Sequence, residues 1–321
     1  MSDTVSPEKI REVYQRITAE VGRVIVGQEA IVRLLLVSLF ARGHCLLVGV
    51  PGLAKTLLVK TLGDVLNLSF KRIQFTPDLM PSDIIGSELL QEREKGIEFV
   101  FQPGPVFAHL LLADEVNRTP PKTQSALLEA MQEHRVTVGG KSWLLPNPFL
   151  VVATQNPIEL EGTFPLPEAQ IDRFLIKLPL GYPSAQEEES ILLRFQDGNP
   201  LEALGPVASR DELTALPKEA RGVRVEESVR RYIVELARAT RDHQEVELGA
   251  SPRGTLALYH AAQAYAAIRG RSFVLPDDVK QLLPYVLTHR IILSPQMRLR
   301  GRRPEDVVAS VLENVPAPVE K

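Results

Sequence analysis

One stretch of the sequence constrains the fold more than any other. Residues 46–60, LLVGVPGLAKTLLVK, combine a continuous apolar run, a glycine-containing turn and the start of a helical pattern. A buried strand that enters a helix through such a turn is typical of α/β proteins whose helix N-terminus faces an anion. The usual phosphate-binding pattern G-x-x-x-x-G-K-[ST] has glycine before its lysine, whereas this chain has Ala54. The stretch therefore predicts a phosphate-binding loop with one departure.

The residue types in this loop suit a nucleotide. Gly49 and Gly52 let the backbone turn its amides toward phosphates, and Lys55 would offset the charge of the outer phosphates. The Thr56 hydroxyl would be a ligand of Mg²⁺. We place Ala54 in the opening helical turn, where alanine is well tolerated. The predicted loop comprises Gly49, Val50, Pro51, Gly52, Leu53, Ala54, Lys55, Thr56 and Leu57.

A second motif, HLLLADEVNR, places two carboxylates at the end of an apolar run. Asp114 would hold Mg²⁺, and Glu115 would polarise an attacking water. By itself this motif would be interpreted as an acidic strand end exposed to solvent. The loop by itself would be a glycine turn that joins a strand to a helix. Together, and in this order, the two motifs predict that the bound nucleotide is hydrolysed.

Three further polar residues are candidates on local sequence. Asn156 follows the run FLVVATQ and either orients the attacking water or is a turn residue before proline, and the local sequence leaves both open. Arg173 in EAQIDRF and Arg253 in GASPRGT would stabilise charge on the γ-phosphate, in cis or from a neighbouring subunit. Each arginine taken alone is better explained as a solvated or salt-bridged surface residue.

Short apolar runs alternate with helical patterns in the first part of the chain, which predicts a parallel sheet covered by helices on both faces. The five runs are HCLLVGV, SFKRIQF, HLLLADE, FLVVATQN and RFLIKLPL. An amphipathic helix precedes them, with Ser6 as its cap, Pro7 at its first position and an apolar face that includes Ile10, Val13 and Ile17.

Two segments break the alternation and are interpreted as β-hairpins inserted near residues 86–103 and 136–145. The first has a charged turn at residues 92–96. Trp143 in the second is expected either to touch a client protein or to pack on its own domain. From about Pro183 onward helical patterns dominate. We expect an α/β domain over residues 1–182 and a smaller all-α domain over residues 183–321, with a turn-rich, mobile connection near residues 196–222.

Composition limits the classes of function. The 321 residues are 44% hydrophobic and 24% charged, with a net charge of −3, which is typical of a globular protein and gives no support to nucleic-acid binding. The single cysteine, Cys45, excludes an internal disulfide, and the histidines lack the spacing of metal ligands. The first residues do not form a secretory signal, and the longest apolar run is too short to cross a bilayer. We expect a cytoplasmic protein without a membrane span.

Long runs of the sequence resemble the MoxR family of AAA+ ATPases. They are GVPGLAKT, LLLADEVNRTPPKTQSALLEAMQE, ATQNPIELEGTFPLPEAQIDRF and GASPRGTLALYHAAQAYAAIRGRSFVLPDDV. Alanine before the loop lysine is common in that family. The resemblance implies an AAA+ core with a five-stranded parallel sheet and inserted hairpins, followed by an all-α lid.

The same resemblance assigns roles to single residues. It gives Asn156 the first-sensor role near the γ-phosphate, Arg173 the role of an arginine finger directed at a neighbouring subunit, and Arg253 the second-sensor role on the lid. It places Gly27 and Gln28 near the adenine, and it makes Arg118 a candidate for a further arginine at a subunit interface. ATP and Mg²⁺ are the implied substrate and cofactor.

The family resemblance also implies a working form and a function. The expected form is a homo-oligomeric ring, usually of six subunits, that remodels or matures protein complexes in a chaperone-like way. The expected partners are a protein client and a separate protein with a von Willebrand factor A domain. Two alternatives are a nucleotide-gated regulatory switch and a motor acting on DNA. For the latter the local basis is MRLRGRRPED, which is better explained as a solvated basic segment because the chain is acidic overall and no aromatic platform accompanies it.

Overall fold

The computed structural model describes residues 7–93, 96–157, 162–196 and 198–318. In chain order, the first part contains α1 (Pro7–Val21), α2 (Glu29–Phe40), β1 (Cys45–Val48), α3 (Lys55–Val65), β2 (Phe70–Gln74), α4 (Pro81–Ile85), β3 (Gly86–Arg93), β4 (Gly96–Pro103), β5 (Leu110–Asp114), α5 (Pro121–Glu133), β6 (Arg135–Val138), β7 (Lys141–Leu144), β8 (Leu150–Gln155), α6 (Glu168–Ile171) and β9 (Ile176–Pro179). A short 3₁₀ helix, Val116–Arg118, lies between β5 and α5.

The five predicted apolar runs form one parallel sheet in the order β2-β5-β8-β1-β9. Val48 at the end of β1 lies opposite Gln155, and Asp114 at the end of β5 lies opposite Gln74. The carboxyl ends of four neighbouring strands therefore meet at one edge. Because the phosphate-binding loop follows β1 and the acidic pair follows β5, this edge carries both predicted motifs.

Helices cover both faces of the sheet, because Leu47 of β1 packs in an apolar cluster with α1, α2 and α3, whereas the adjacent Leu46 packs in a second cluster with α5. Ile10, Val13, Ile17 and Val21 of α1 are buried, and Tyr14 is half-buried. This confirms the predicted amphipathic helix, while the predicted cap Ser6 lies outside the described residues. Among those residues, no helix combines the length and the apolar character that a bilayer crossing requires.

Both predicted hairpins are present as antiparallel pairs, β3 with β4 and β6 with β7. Residues 94 and 95 in the predicted charged turn of the first hairpin lie outside the described residues. The Trp143 ring stacks on the Phe101 ring, with centroids 4.5 Å apart and planes 20° apart. Since Phe101 belongs to the first hairpin, Trp143 packs on its own domain and joins the two insertions, although 36% of its surface stays exposed.

The second part of the chain is helical, as predicted. In chain order it contains α7 (Ala185–Gln196), α8 (Arg210–Arg221), α9 (Glu227–Arg241), β10 (Val246–Leu248), α10 (Pro252–Ile268), α11 (Pro276–Leu287), β11 (Ile292–Leu293), α12 (Pro295–Leu299) and α13 (Pro304–Asn314), together with 3₁₀ helices at Pro200–Ala203 and Thr288–Arg290. It also holds one antiparallel ribbon, β10 with β11, that the helical pattern did not indicate.

The connection near residues 196–222 is more ordered than predicted, because it contains α8. The Ser209 hydroxyl accepts a hydrogen bond from Glu212 N, and the Glu212 carboxylate accepts one from Ser209 N. This capping box fixes the start of the helix. Leu213 and Leu216 are buried in the apolar cluster that also contains residues of α1 and α2. The expectation of a mobile, turn-rich connection was therefore wrong for residues 210–221.

One apolar cluster runs from α1, α2 and α3 into α8, α10 and α11. The helix α10 packs against both α1 and α2, so the two parts of the chain share a core. The division at residues 182 and 183 stays a prediction.

Candidate functional site

The phosphate-binding loop lies between the end of β1 and the start of α3. Gly52 has φ of 88°, and Ala54 has φ of 54° and ψ of 25°, so both residues adopt the left-handed region. The helix begins at Lys55, and Ala54 stands before it as the N-cap. Our placement of Ala54 in the opening helical turn was therefore wrong. Alanine holds a backbone conformation that glycine adopts without cost, which explains why glycine is usual at this position.

The Lys55 side chain reaches back to the first residue of the loop, Gly49. Its Nζ donates a hydrogen bond to the Gly49 carbonyl oxygen at 2.5 Å. Burial lowers the pKa of Lys55, and the negative charges of Asp114 and Glu115 oppose that shift. The ammonium group therefore faces the two carboxylates across the same pocket. This pocket, of about 320 Å³, is lined by Pro51, Gly52, Leu53, Ala54, Lys55, Thr56, Arg72, Asp114 and Glu115.

Thr154 on β8 organises the acidic pair. Its hydroxyl donates to Asp114 Oδ1 at 2.6 Å and accepts from the Glu115 backbone nitrogen at 2.8 Å. Glu115 has φ of 58° and ψ of 51°, a left-handed conformation that is uncommon for residues other than glycine. The hydroxyl thus fixes the position of the Asp114 carboxylate and the strained backbone of Glu115.

Three cationic or amide groups contact the acidic pair in this conformation. Arg72 donates to Asp114 Oδ2 from Nη2 at 2.6 Å and from Nε at 3.2 Å. Gln74 Nε2 donates to Glu115 Oε2 at 2.9 Å, and Arg118 Nε lies 3.1 Å from the same oxygen. Arg118, which the family resemblance made a candidate subunit-interface residue, is thus paired within its own chain.

Sequence reasoning missed Thr154, Arg72 and Gln74. The only available signal was alternation: Arg72 and Gln74 are two residues apart in β2, so their side chains leave the same face of the sheet. That face becomes informative only when β2 is known to pair with β5.

The donor set of the pocket fits a magnesium ion. Mg²⁺ prefers oxygen ligands and is usually held by one or two carboxylates plus substrate phosphates and water. Thr56 supplies a hydroxyl and Asp114 a carboxylate to the lining of one pocket. Among the described residues there is no group of three or more His, Cys, Asp or Glu side chains that could hold a metal without a substrate.

Asn156 follows β8 directly and is only 9% exposed. The preceding residue, Gln155, accepts a hydrogen bond from Gly49 N at 3.2 Å. Asn156 therefore lies beside the start of the phosphate-binding loop, although it does not line the pocket described above.

Gly27 and Gln28 precede α2 and are also outside that pocket. Gly27 has φ of 73°, and a Cβ built on it would lie 2.2 Å from Glu187 Oε1, so the backbone at this point touches α7. Gln28 Oε1 is buried without a hydrogen-bond partner among the described residues. A buried acceptor without a partner fits a donor supplied by a ligand.

The two candidate arginines lie elsewhere. Arg173 lines a second pocket, of about 470 Å³, together with Glu129, Glu133 and Arg135. Its Nε is buried and has no hydrogen-bond partner in the described part of the chain. Arg253 is the second residue of α10 and is exposed. The structure thus brings together Lys55, Thr56, Asp114 and Glu115 but places neither arginine in their pocket.

The basic segment 298–303 is partly neutralised. Arg302 pairs with Glu245 at 3.0 Å and with Asp306 at 3.7 Å, and Arg298 lies 3.9 Å from Glu247. These acidic neighbours reduce the positive charge that a nucleic-acid phosphate would meet.

Comparison with known proteins decides the family. The profile of the ATPase family associated with various cellular activities (AAA) matches residues 44–176, and that of the AAA lid domain matches residues 238–311. Chaperone MoxR1 of Mycobacterium tuberculosis is 45% identical over 313 residues, which cover 95% of this chain and 82% of that protein. The chain belongs to the MoxR family of AAA+ ATPases.

Two other proteins are similar along almost the whole chain. The Bacillus subtilis protein YeaC is 46% identical over 314 residues, 98% of each chain. The crystal structure of a putative ATPase from Cytophaga hutchinsonii superposes with a TM-score of 0.90 at 41% identity and covers 98% of this chain and 97% of that one. The family and the AAA+ fold predicted from the sequence are thus confirmed.

Proposed function

We propose that this MoxR-family protein hydrolyses ATP with Mg²⁺ and uses the cycle to remodel or mature protein complexes in a chaperone-like way. The observation that carries the proposal is the single pocket in which Lys55 and Thr56 face Asp114 and Glu115. A lysine, a hydroxyl and two adjacent carboxylates around one pocket are the parts that phosphoryl transfer from a nucleoside triphosphate requires.

Each wall of the pocket has a role. The backbone N–H groups of residues 52–57 and the Lys55 ammonium bind the phosphates, while Thr56 and Asp114 hold Mg²⁺. When bound, Mg²⁺ neutralises negative charge on the phosphate oxygens. Glu115 polarises the attacking water, and Asn156 orients it from the end of β8. The buried, unpartnered Gln28 oxygen supports an adenine site near Gly27 and Gln28, where the exocyclic amine would be its donor.

The second pocket supports assembly into a ring. Arg173 stands outside its own chain's ATP pocket, with a buried guanidinium nitrogen that lacks a partner among the described residues. An arginine of this kind completes a site when a neighbouring subunit presents its γ-phosphate. We infer a homo-oligomer, most simply a hexameric ring, in which Arg173 acts in trans and Arg253 reports the nucleotide from the lid.

The inserted hairpins support a protein client. Leu90, Phe99 and Leu144 on their surfaces are 65%, 66% and 80% exposed, respectively, and no nucleotide site needs them. Exposed apolar side chains on a protruding element are typical of surfaces that contact other proteins. The relative named Chaperone MoxR1 agrees with this role. A separate von Willebrand factor A domain protein in the cytoplasm is the partner we propose.

Replacing Glu115 by Gln tests the hydrolytic site. The amide keeps the shape of the side chain but cannot take up a proton, so we expect turnover to fall at least about 100-fold while ATP binding is retained. Turnover would be measured as phosphate release, and binding by a fluorescent ATP analogue. Glu12→Gln, which is exposed on α1 and lines neither the ATP pocket nor the pocket of Arg173, is the control for a simple loss of charge. Unchanged turnover in Glu115→Gln would refute the role of this carboxylate.

Mixing variants tests the trans role of Arg173. Arg173→Ala subunits keep an intact ATP pocket, whereas Lys55→Ala subunits keep an intact Arg173. Each preparation alone should be inactive, and mixed rings should regain part of the turnover because some interfaces combine both intact elements. Light scattering would establish that the rings form. Mixed rings without any regained activity would contradict a finger in trans.

A nucleotide-gated switch is the second candidate, favoured by one observation. Arg72, Gln74 and Arg118 hold Asp114 and Glu115 in ion pairs and hydrogen bonds, so the acidic pair must exchange partners before it can act on ATP. Slow basal turnover with nucleotide-dependent binding of a partner would support a switch. Turnover that rises strongly while a client is remodelled would support the remodelling ATPase.

A further inference from the structure

The turn that carries Arg173 is held from the lid by one buried arginine. Arg290 is 2% exposed at its side chain and donates from Nε to Asp172 Oδ1 at 2.7 Å. Its Nη2 donates to the backbone carbonyls of Asp172 at 3.1 Å and Phe174 at 2.7 Å, and its Nη1 to that of Leu175 at 3.3 Å. The guanidinium thus binds the backbone on both sides of Arg173.

The other oxygen of the Asp172 carboxylate reaches the helix that carries Arg253. The Ser251 hydroxyl donates to Asp172 Oδ2 at 3.2 Å. Ser251 is also the N-cap of α10, since its hydroxyl accepts from Gly254 N at 3.3 Å. Arg253 lies two residues further on, in the first turn. The carboxylate of Asp172, the residue that precedes Arg173, therefore contacts the start of α10.

The contact between these elements is close enough to transmit a movement. A Cβ built on Gly254 would lie 2.8 Å from Arg290 Cδ, so the first turn of α10 rests directly against the buried arginine. Moving Arg290 off its carbonyls would leave a charged group and several acceptors buried without partners, which is costly. A shift of the start of α10 is therefore expected to move the 172–175 turn with it.

We propose that Asp172 is a positioning residue that couples the two nucleotide sites flanking each subunit. This coupling rests on the proposed function, in which Arg253 responds to the subunit's own ATP and Arg173 completes the site of a neighbour. ATP that draws Arg253 and α10 inward displaces Ser251, and the Asp172 carboxylate passes this displacement to the backbone of Arg173. The state of one site thereby sets the placement of the finger at the next.

Ser251 offers the sharpest test because its hydroxyl can be removed without touching a catalytic residue. Ser251→Ala removes the bond to Asp172, and Ser251→Thr restores a hydroxyl. The matched control is Ser209→Ala, which deletes an N-cap hydroxyl on α8 of the same kind but without a bond to Asp172. Asp172→Asn is a second test, since it keeps the shape and removes the charge that pairs with Arg290.

Hydrogen exchange on the full-length protein measures the coupling directly. In wild type, Mg²⁺ with the β,γ-imido analogue of ATP should slow exchange of amides in residues 172–175 about tenfold, in addition to those of the phosphate-binding loop. Ser251→Ala should keep the protection of the loop and lose that of the turn, whereas Ser251→Thr and Ser209→Ala should behave as wild type. A turn that is equally protected in Ser251→Ala, or not protected in wild type, would overturn the proposal.

Steady-state turnover provides the second readout. Ser251→Ala and Asp172→Asn should lower kcat about tenfold with half-saturating ATP changed less than twofold, and should flatten any sigmoidal dependence on ATP. A merely destabilised protein would lose active enzyme in proportion and would not be rescued by threonine. If wild type shows the exchange response but no turnover, the proposed hydrolysis fails while the coupling stands.

Discussion

Thr154 donates a hydrogen bond from its hydroxyl to Asp114 Oδ1 at 2.6 Å, which connects the central strand β8 to the proposed magnesium ligand on β5. Thr154→Val keeps the shape but leaves both this oxygen and the Glu115 backbone nitrogen without their partner. Losing a hydrogen bond to a charged group should lower turnover about tenfold and raise the Mg²⁺ requirement. Thr154→Ser is the control. Turnover in the valine variant within twofold of wild type would contradict the role of the hydroxyl.

Ala54 pays a conformational cost that glycine would not. Because its φ is 54°, Ala54→Gly should raise the free energy of unfolding by about 1 kcal/mol and leave ATP turnover close to wild type. Ala19, exposed within α1, is the matched control, since Ala19→Gly should destabilise the protein by about 0.5–1 kcal/mol. Urea unfolding measures both changes. Changes of the same sign in the free energy of unfolding for Ala54→Gly and Ala19→Gly would refute the conformational argument.

Arg72 competes with Mg²⁺ for Asp114. The pair is partly exposed and contributes at most about 1 kcal/mol, so Arg72→Gln should strengthen Mg²⁺ binding in the presence of nucleotide by up to about fivefold. Titration of Mg²⁺ against bound fluorescent nucleotide measures the change. Arg23→Gln, which breaks a similar pair with Glu20 on α1, is the control. Weaker Mg²⁺ binding in Arg72→Gln would show that Arg72 helps to hold the substrate.

Buried His44 should make stability depend on pH. Its Nδ1 accepts from Val151 N at 3.0 Å and its Nε2 lies 3.0 Å from the Met131 carbonyl oxygen, and burial lowers its pKa from 6.5 to about 4. Between pH 6.5 and 4, His44 therefore binds a proton in the unfolded chain but not in the folded chain. Stability should fall as the pH drops from 6.5 to 4, by about 3 kcal/mol in all from this residue.

His44→Gln provides the comparison for that pH dependence. Without the imidazole, the free energy of unfolding should fall less steeply between pH 6.5 and 4, even if the variant is less stable at neutral pH. Urea unfolding at a series of pH values measures the slope. Equal slopes for the variant and wild type would exclude His44 as the source.

The sequence predicted the sheet and the ATP pocket because their signals are local. The runs of β1, β5 and β8 are almost continuously apolar and buried, and the loop around Lys55 and the pair Asp114–Glu115 each occupy a few consecutive residues. The order of the strands was not worked out. Thr154 lies 40 residues from Asp114 in the chain, so its role appears only when β8 is placed beside β5.

Other differences have equally specific causes. The left-handed conformation of Ala54 is set by the geometry of the loop and not by the helix propensity on which the expectation relied. The helix α8 was missed because the many turn residues before it led us to assign the whole segment as a loop, although Ser209 and Glu212 form a capping box. Arg290 and Asp172 were missed because they are 118 residues apart in the chain, and an ordinary arginine in a helical segment gives no sign of burial.

The stack of Trp143 on Phe101 joins the two insertions into one packing unit. Their contact is reinforced where Gly139 comes so close to the Glu88 carboxylate that a Cβ there would lie 2.3 Å from it. A change of length or tilt in either hairpin must be matched by the other. Chimaeras between relatives should therefore exchange residues 86–103 and 135–144 together. Transplanting one hairpin alone would break the contacts of Trp143 with Phe101 and of Gly139 with Glu88.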